Sequence, residues 1–113
     1  MPVPPTDDTP VLPGYIDQRG QHADLRVWCR WCCHWHIHGP HPVGTTAHRV
    51  AHCYAPDSGY HATGYRIEVR PVPYSSVIGS VRSANAAQRR ALTAGRISDA
   101  VRRLREQRPR EDS

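Results

Sequence analysis

"WCRWCCHWHIHGPHPVGTTAHRVAHC", residues 28–53, contains all four cysteines of the chain and six of its eight histidines. Cys29 and Cys32 stand at the Cys-x2-Cys spacing, where the intervening turn aims two thiolates at one tetrahedral ion. Fifteen residues then separate Cys32 from His48, and His52 and Cys53 follow. Cys-x2-Cys-x15-His-x3-His lies at the long edge of the zinc-finger pattern, and His-x4-Cys is equally usable. The expected ligands are Cys29, Cys32, His48 and Cys53, with His52 as the competing fourth donor. A mixed sulfur and nitrogen set suits Zn2+, here one structural ion in a closed site.

The rest of the chain explains why a metal is wanted. It has 113 residues, no Phe, one Met and 38% hydrophobic residues. The stretch with folding potential, residues 22–74, is short enough that its core needs a staple. Disulfides could supply one, but residues 1–20 lack the charged start and apolar middle of a signal peptide. No apolar run approaches the roughly 20 residues of a membrane span. The expectation is therefore a cytoplasmic protein without membrane contact, in a compartment where Cys–His clusters are usually metal sites.

Residues 1–21 hold five of the eleven prolines and read as a disordered, Pro-rich leader. "DLRVWC" (24–29) and "CHWHIH" (33–38) alternate as short strands. In the second, Cys33, Trp35 and Ile37 fall on one side and His34, His36 and His38 on the other. That alternation assigns Cys33 to packing. Residues 45–52 fit a helix capped by Thr45 or Thr46, or a strand; His48 and His52 share a face either way. "GYRIEVRP" (64–71) is the clearest strand. From Ser83 the composition turns helical, with Ile97, Val101 and Leu104 at i, i+4 and i+7 and Pro109 ending the run.

The expected fold is thus a small metal-stabilised α+β unit. A short β-hairpin or three-stranded zinc module (22–74) is followed by an Arg-rich linker and basic C-terminal helix (75–113), and preceded by a disordered N-terminus (1–21).

All 15 basic residues are Arg. Residues 75–113 carry nine Arg against four acids, whereas residues 1–28 carry two Arg against four Asp. Such asymmetry points to a polyanion, DNA or RNA, at the tail. Arg30, Trp31 and Arg49 around the metal, and Arg89, Arg90, Arg102, Arg103 and Arg105 in the tail, are the candidate nucleic-acid contacts: Arg for phosphate, Trp for stacking.

An enzyme reads less well. The series His34, His36, His38 and His41 resembles metal-hydrolase strand ends, yet Asp24 is the sole acid between Gln18 and His41, and a general base is missing. A finger-type nuclease would use an Asn, and the one present, Asn85, lies in the basic tail.

"WCRWC", "WHIHG" and "HRVAHC" resemble small, uncharacterised zinc-finger or zinc-ribbon proteins of high-GC actinobacteria and their mobile elements. The likeness spans residues 28–70, and the absence of Lys and Phe fits such a genome. It implies a zinc-stabilised binding module and brings no activity with it. The expected function is nucleic-acid binding, as an accessory regulator of transcription. The alternative is a protein–protein adaptor docking through the zinc module and the Ile97/Val101/Leu104 stripe.

Overall fold

A computed structural model describes residues 8–112. The chain runs β1 (Val11–Arg19), β2 (His22–Cys29), β3 (His34–His38), β4 (Thr46–Arg49), α1 (Tyr60–Thr63), β5 (Tyr65–Val69), α2 (Tyr74–Val77), a 3-10 turn (Ile78–Ser80), α3 (Ala86–Thr93) and α4 (Asp99–Arg105). Its strands form one mixed five-stranded sheet in the order β3-β2-β1-β5-β4. The α+β class agrees with the sequence reading, but the sheet is larger than a hairpin or three strands.

The largest correction concerns the leader. Residues 11–19 are the central strand, paired antiparallel to β2 and parallel to β5. Residues 1–7, the rest of the expected disordered segment, lie outside the described residues. Proline misled the sequence reading because it forbids a central strand only where its missing N–H should pair. The β1–β2 ladder stops at the Gly14–Val27 pair, so Pro13 lies beyond it and meets only Glu68 of β5. A hairpin signal was also present. Arg19 pairs with His22 across Gly20–Gln21, and Gly20 has the positive φ (58°) that a two-residue hairpin turn requires.

Register sorts the side chains between the two faces. Trp28 pairs with Trp35, and these rings pack edge to face, 5.5 Å apart. Tyr15 and Tyr74 extend that aromatic layer against Trp35 at 6.1 and 5.1 Å. On the opposite face Val27 pairs with His36, Leu25 with His38 and Cys29 with His34. Leu25, Val27, Tyr65 and Ile67 are fully buried there. The expected alternation in β3 holds in period but not in meaning: Ile37 is exposed, while His36 and His38 are buried. Residues 46–49 are strand, which resolves the helix-or-strand choice left open by the sequence.

The C-terminal segment is neither one helix nor a detached tail. Gly95, at φ 77°, separates α3 from α4. Asn85 and Gln88 form a reciprocal capping box on α3, and Ser98 caps α4 through the Val101 N–H. Leu92 and Val101 are fully buried, and Ile97 and Leu104 pack partly buried against the same core. Ala84 N–H donates to Cys33 O at 2.8 Å, and Arg105 donates to Trp31 O at 3.1 Å. The helices therefore close over the turn between β2 and β3. The stripe expected to await a partner is spent on the protein's own core.

Gly14 permits the tightest approach in the sheet. A Cβ there would stand 2.3 Å from Ile67 Cγ2 and 3.1 Å from Leu25 Cδ1. Gly14→Ala should therefore destabilise the fold by roughly 1–3 kcal/mol through overpacking. Gly39→Ala, with open space around it, should change little. Urea unfolding of the two variants beside the parent checks this, and equal midpoints for all three would contradict the packing described.

Candidate metal centre

β2 ends on Cys29, and residues 30–33 turn the chain into β3. Cys33 N–H donates to Cys29 O at 2.9 Å, and Cys32 N–H points to Cys29 Sγ at 3.4 Å. This turn brings the two sulfurs of Cys-x2-Cys together. Cys33 closes it with φ 53°, left-handed backbone that costs a non-Gly residue about 1–2 kcal/mol. Its side chain is fully buried and bonds Arg30 O at 3.6 Å. Burial pushes the Cys33 thiol up to about 11, so it keeps its proton.

The third sulfur arrives from the loop after β4. Tyr54 O–H donates to Cys32 O, and Ser58 O–H donates to Cys53 Sγ at 3.2 Å. These bonds fold residues 53–58 across the sheet and place Cys53 over the knuckle. The fourth donor is His36. Cys29, Cys32, His36 and Cys53 offer ligand atoms that all lie within 4.8 Å of one another. Cys29 Sγ is 3.6 Å from Cys53 Sγ, and Cys53 Sγ is 3.6 Å from His36 Nε2. Tetrahedral Zn2+, with Zn–S near 2.3 Å and Zn–N near 2.0–2.1 Å, sets donor separations of about 3.5–3.8 Å. The observed spacing fits one such ion, and the donor chemistry suits zinc.

His48 does not join this group. It sits on β4, the far edge from β3, paired with Arg66 and hence on the other face of the sheet. It is exposed, with Nε2 3.1 Å from Thr63 O. His52 is exposed too, its ring 6.2 Å from that of His38. Finger spacing favoured the downstream histidines. The decisive signal was instead the strand period, since His36 shares a face with Cys29 once β2 and β3 are paired.

A hydrogen bond between Cys29 and Cys32, joined by Cys53, holds the Cys32 thiol well below the usual range and Cys29 well above it. Burial lowers His36, but bonds to Cys32 and Cys53 outweigh it and push the imidazole up to about 9. His38 bonds Tyr65 O–H in the core, and burial, with the charges of His36, His52 and Arg49, pushes it down to about 4.

The expected nucleic-acid contacts divide sharply. Trp31 packs edge-on to Tyr60, with Arg30 and Arg105 each over its ring at 5.0 and 5.3 Å. It is a packing residue, not a free stacking platform. Arg105 is mostly buried, bidentate to Asp57 at 2.7 and 2.8 Å. Arg49 is tied to His41 and to His48 O. Arg89, Arg90, Arg102 and Arg103 are exposed on α3 and α4. Comparisons with family models, curated proteins and solved structures found no match. Among the described residues, no helix is long and apolar enough to cross a membrane.

Two outcomes follow for the metal. Cys53→Ser and His36→Ala should each lose stoichiometric zinc, while His48→Ala and Cys33→Ala keep it, as read by metal analysis of the purified variants. Zinc retained by His36→Ala but lost by His48→Ala would reverse the assignment. Zinc must also displace the protons held by His36 and Cys29, so affinity should fall as pH drops from 8 to 6. Competition against a chromogenic chelator measures it, and a pH-independent affinity would contradict protonated donors.

Proposed function

We propose that the protein is a zinc-stabilised module that binds a polyanion, DNA or RNA, through the exposed arginines of α3 and α4. Four protein donors complete a tetrahedron and leave no coordination position for substrate, which favours a structural metal over a catalytic one. The observation that carries the binding reading is the state of the arginines. Among the described residues, Arg89, Arg90, Arg96, Arg102 and Arg103 are exposed and have no carboxylate partner, whereas Arg19, Arg26, Arg70 and Arg105 are ion-paired.

Their placement supports phosphate contact. Arg89 and Arg90 line a hollow of about 540 Å3 with Tyr54 and Thr93. Arg82 and Arg103 line another of about 610 Å3 with Ser80 and Gln107. Guanidinium groups so arranged bind phosphate by charge and forked hydrogen bonds. With Trp28, Trp31 and Trp35 all committed to packing, the mode proposed is backbone binding with little sequence readout. An accessory role in transcription is the wider form of this reading. The adaptor alternative would have to use the zinc module or the polar side of the helices, because Val101 is buried and Ile97 and Leu104 pack on the core.

Replacing Arg90, Arg102 and Arg103 together with Gln should leave the fold and zinc content intact and flatten the salt dependence of binding. Each lost duplex phosphate contact removes about 0.9 from the slope of log K against log salt. Fluorescence anisotropy with labelled duplex and single strands at several salt concentrations reads it, and an unchanged slope would end the proposal. Arg105→Gln should behave differently: it removes the Asp57 pair and lowers the unfolding midpoint.

A further inference from the structure

Stacking on a base needs an aromatic ring that is not buried in the core. Among the described Trp and Tyr side chains, Trp31 and Tyr54 meet that condition. Trp31 has Arg30 and Arg105 over its ring and Tyr60 edge-on against it. Tyr54 is less encumbered. The His34 ring lies 5.8 Å away, tilted rather than stacked. One guanidinium, that of Arg89, stands over Tyr54 at 5.7 Å from the centroid. Arg89 is exposed and has no carboxylate partner among the described residues.

Tyr54 is also held in place: it follows Cys53, and its hydroxyl donates to Cys32 O in the knuckle. Across from it runs one stripe of α3. Ala86, Arg89, Arg90, Thr93 and Ala94, at i, i+3, i+4, i+7 and i+8, line a single open hollow with Tyr54. All five are exposed, so the described chain leaves this stripe uncovered. Ala86, Thr93 and Ala94 are small and leave space above the helix, and no acidic side chain lines the hollow. Its volume of about 540 Å3 falls within the roughly 300–1,000 Å3 of small-ligand sites. One nucleobase with its sugar fits.

We propose that this hollow takes one unpaired nucleobase against Tyr54, with the flanking phosphates on Arg89 and Arg90, so that the preferred polyanion is a single-stranded nucleic acid. The inference rests on the polyanion reading above and names the strand state that reading leaves open. Bases in a duplex are already paired and stacked and do not reach the ring. Unpaired bases stack on aromatic side chains and on guanidinium planes, and both are present here. Such stacking accepts any base, in keeping with little sequence readout.

The test is fluorescence anisotropy on the zinc-loaded chain at one fixed salt concentration. The probes are labelled oligothymidylate and oligouridylate, an abasic strand of equal length and charge, and a duplex. The parent should bind at least one oligomer about tenfold more tightly than the abasic strand, and the tighter oligomer tells DNA from RNA. Tyr54→Ala should erase that preference and leave duplex affinity unchanged, while Tyr54→Phe, which keeps the ring, retains it. Because Tyr54 also braces the knuckle, Ala86→Leu supplies a second arm: it fills the hollow, leaves Tyr54 and the metal ligands in place, and should remove the preference with zinc content unchanged. An oligoglutamate of the same length should bind no better than the abasic strand. Equal binding of the oligomers and the abasic strand, with the duplex still bound, would overturn this inference and leave the polyanion reading standing. Binding to none of the probes would end both. A preference that survives in Ala86→Leu or in zinc-loaded Tyr54→Ala, or oligoglutamate held as tightly as the oligomers, would also overturn it.

Discussion

Four donor atoms within 4.8 Å, drawn from the end of β2, the turn after it, β3 and the loop after β4, set the arrangement of this molecule. Three thiols and an imidazole cannot be packed so closely without cost unless something compensates their polarity. A single divalent cation could compensate all four at once. Structural zinc is worth about 10–16 kcal/mol in small finger peptides, comparable to the whole net stability of an ordinary domain. The loop carrying Cys53 has little regular structure of its own, so its place over the sheet depends on this group and on the Tyr54 and Ser58 bonds beside it.

The second constraint is the central strand. β1 gives the sheet its middle, and Gly14 lets Ile67 and Leu25 meet across it. Around this frame the arginines of the C-terminal segment separate into two kinds. Arg105 is used internally, bridging α4 to Asp57 and Trp31 O and helping to hold the knuckle. Apart from Arg89, whose guanidinium lies over the Tyr54 ring at 5.7 Å, the exposed set on α3 and α4 has no such use, and the proposed polyanion contact rests on that difference.

What was legible in the sequence follows the range of each signal. The Cys29/Cys32 pair, the strand at residues 64–71 and the helical composition of residues 83–109 are local patterns, and they were readable. The α+β class followed from them. His36 was not singled out, because choosing among six histidines needs the pairing of β2 with β3, a contact between strands. β1 was missed because its prolines argue locally for disorder, and only the one-sided register at Pro13 reconciles them with a central strand. The role of the Ile97/Val101/Leu104 stripe was likewise undecidable locally: three apolar residues on a helix face read the same whether they meet a partner or the chain's own core.

The central claim is that Cys29, Cys32, Cys53 and His36 hold one ion. X-ray absorption at the zinc edge of the purified protein addresses it directly. The account predicts three sulfurs near 2.3 Å and one nitrogen near 2.0–2.1 Å, with the nitrogen shell lost in His36→Ala. A shell of two sulfurs and two nitrogens, or a nitrogen shell that persists in that variant, would contradict it.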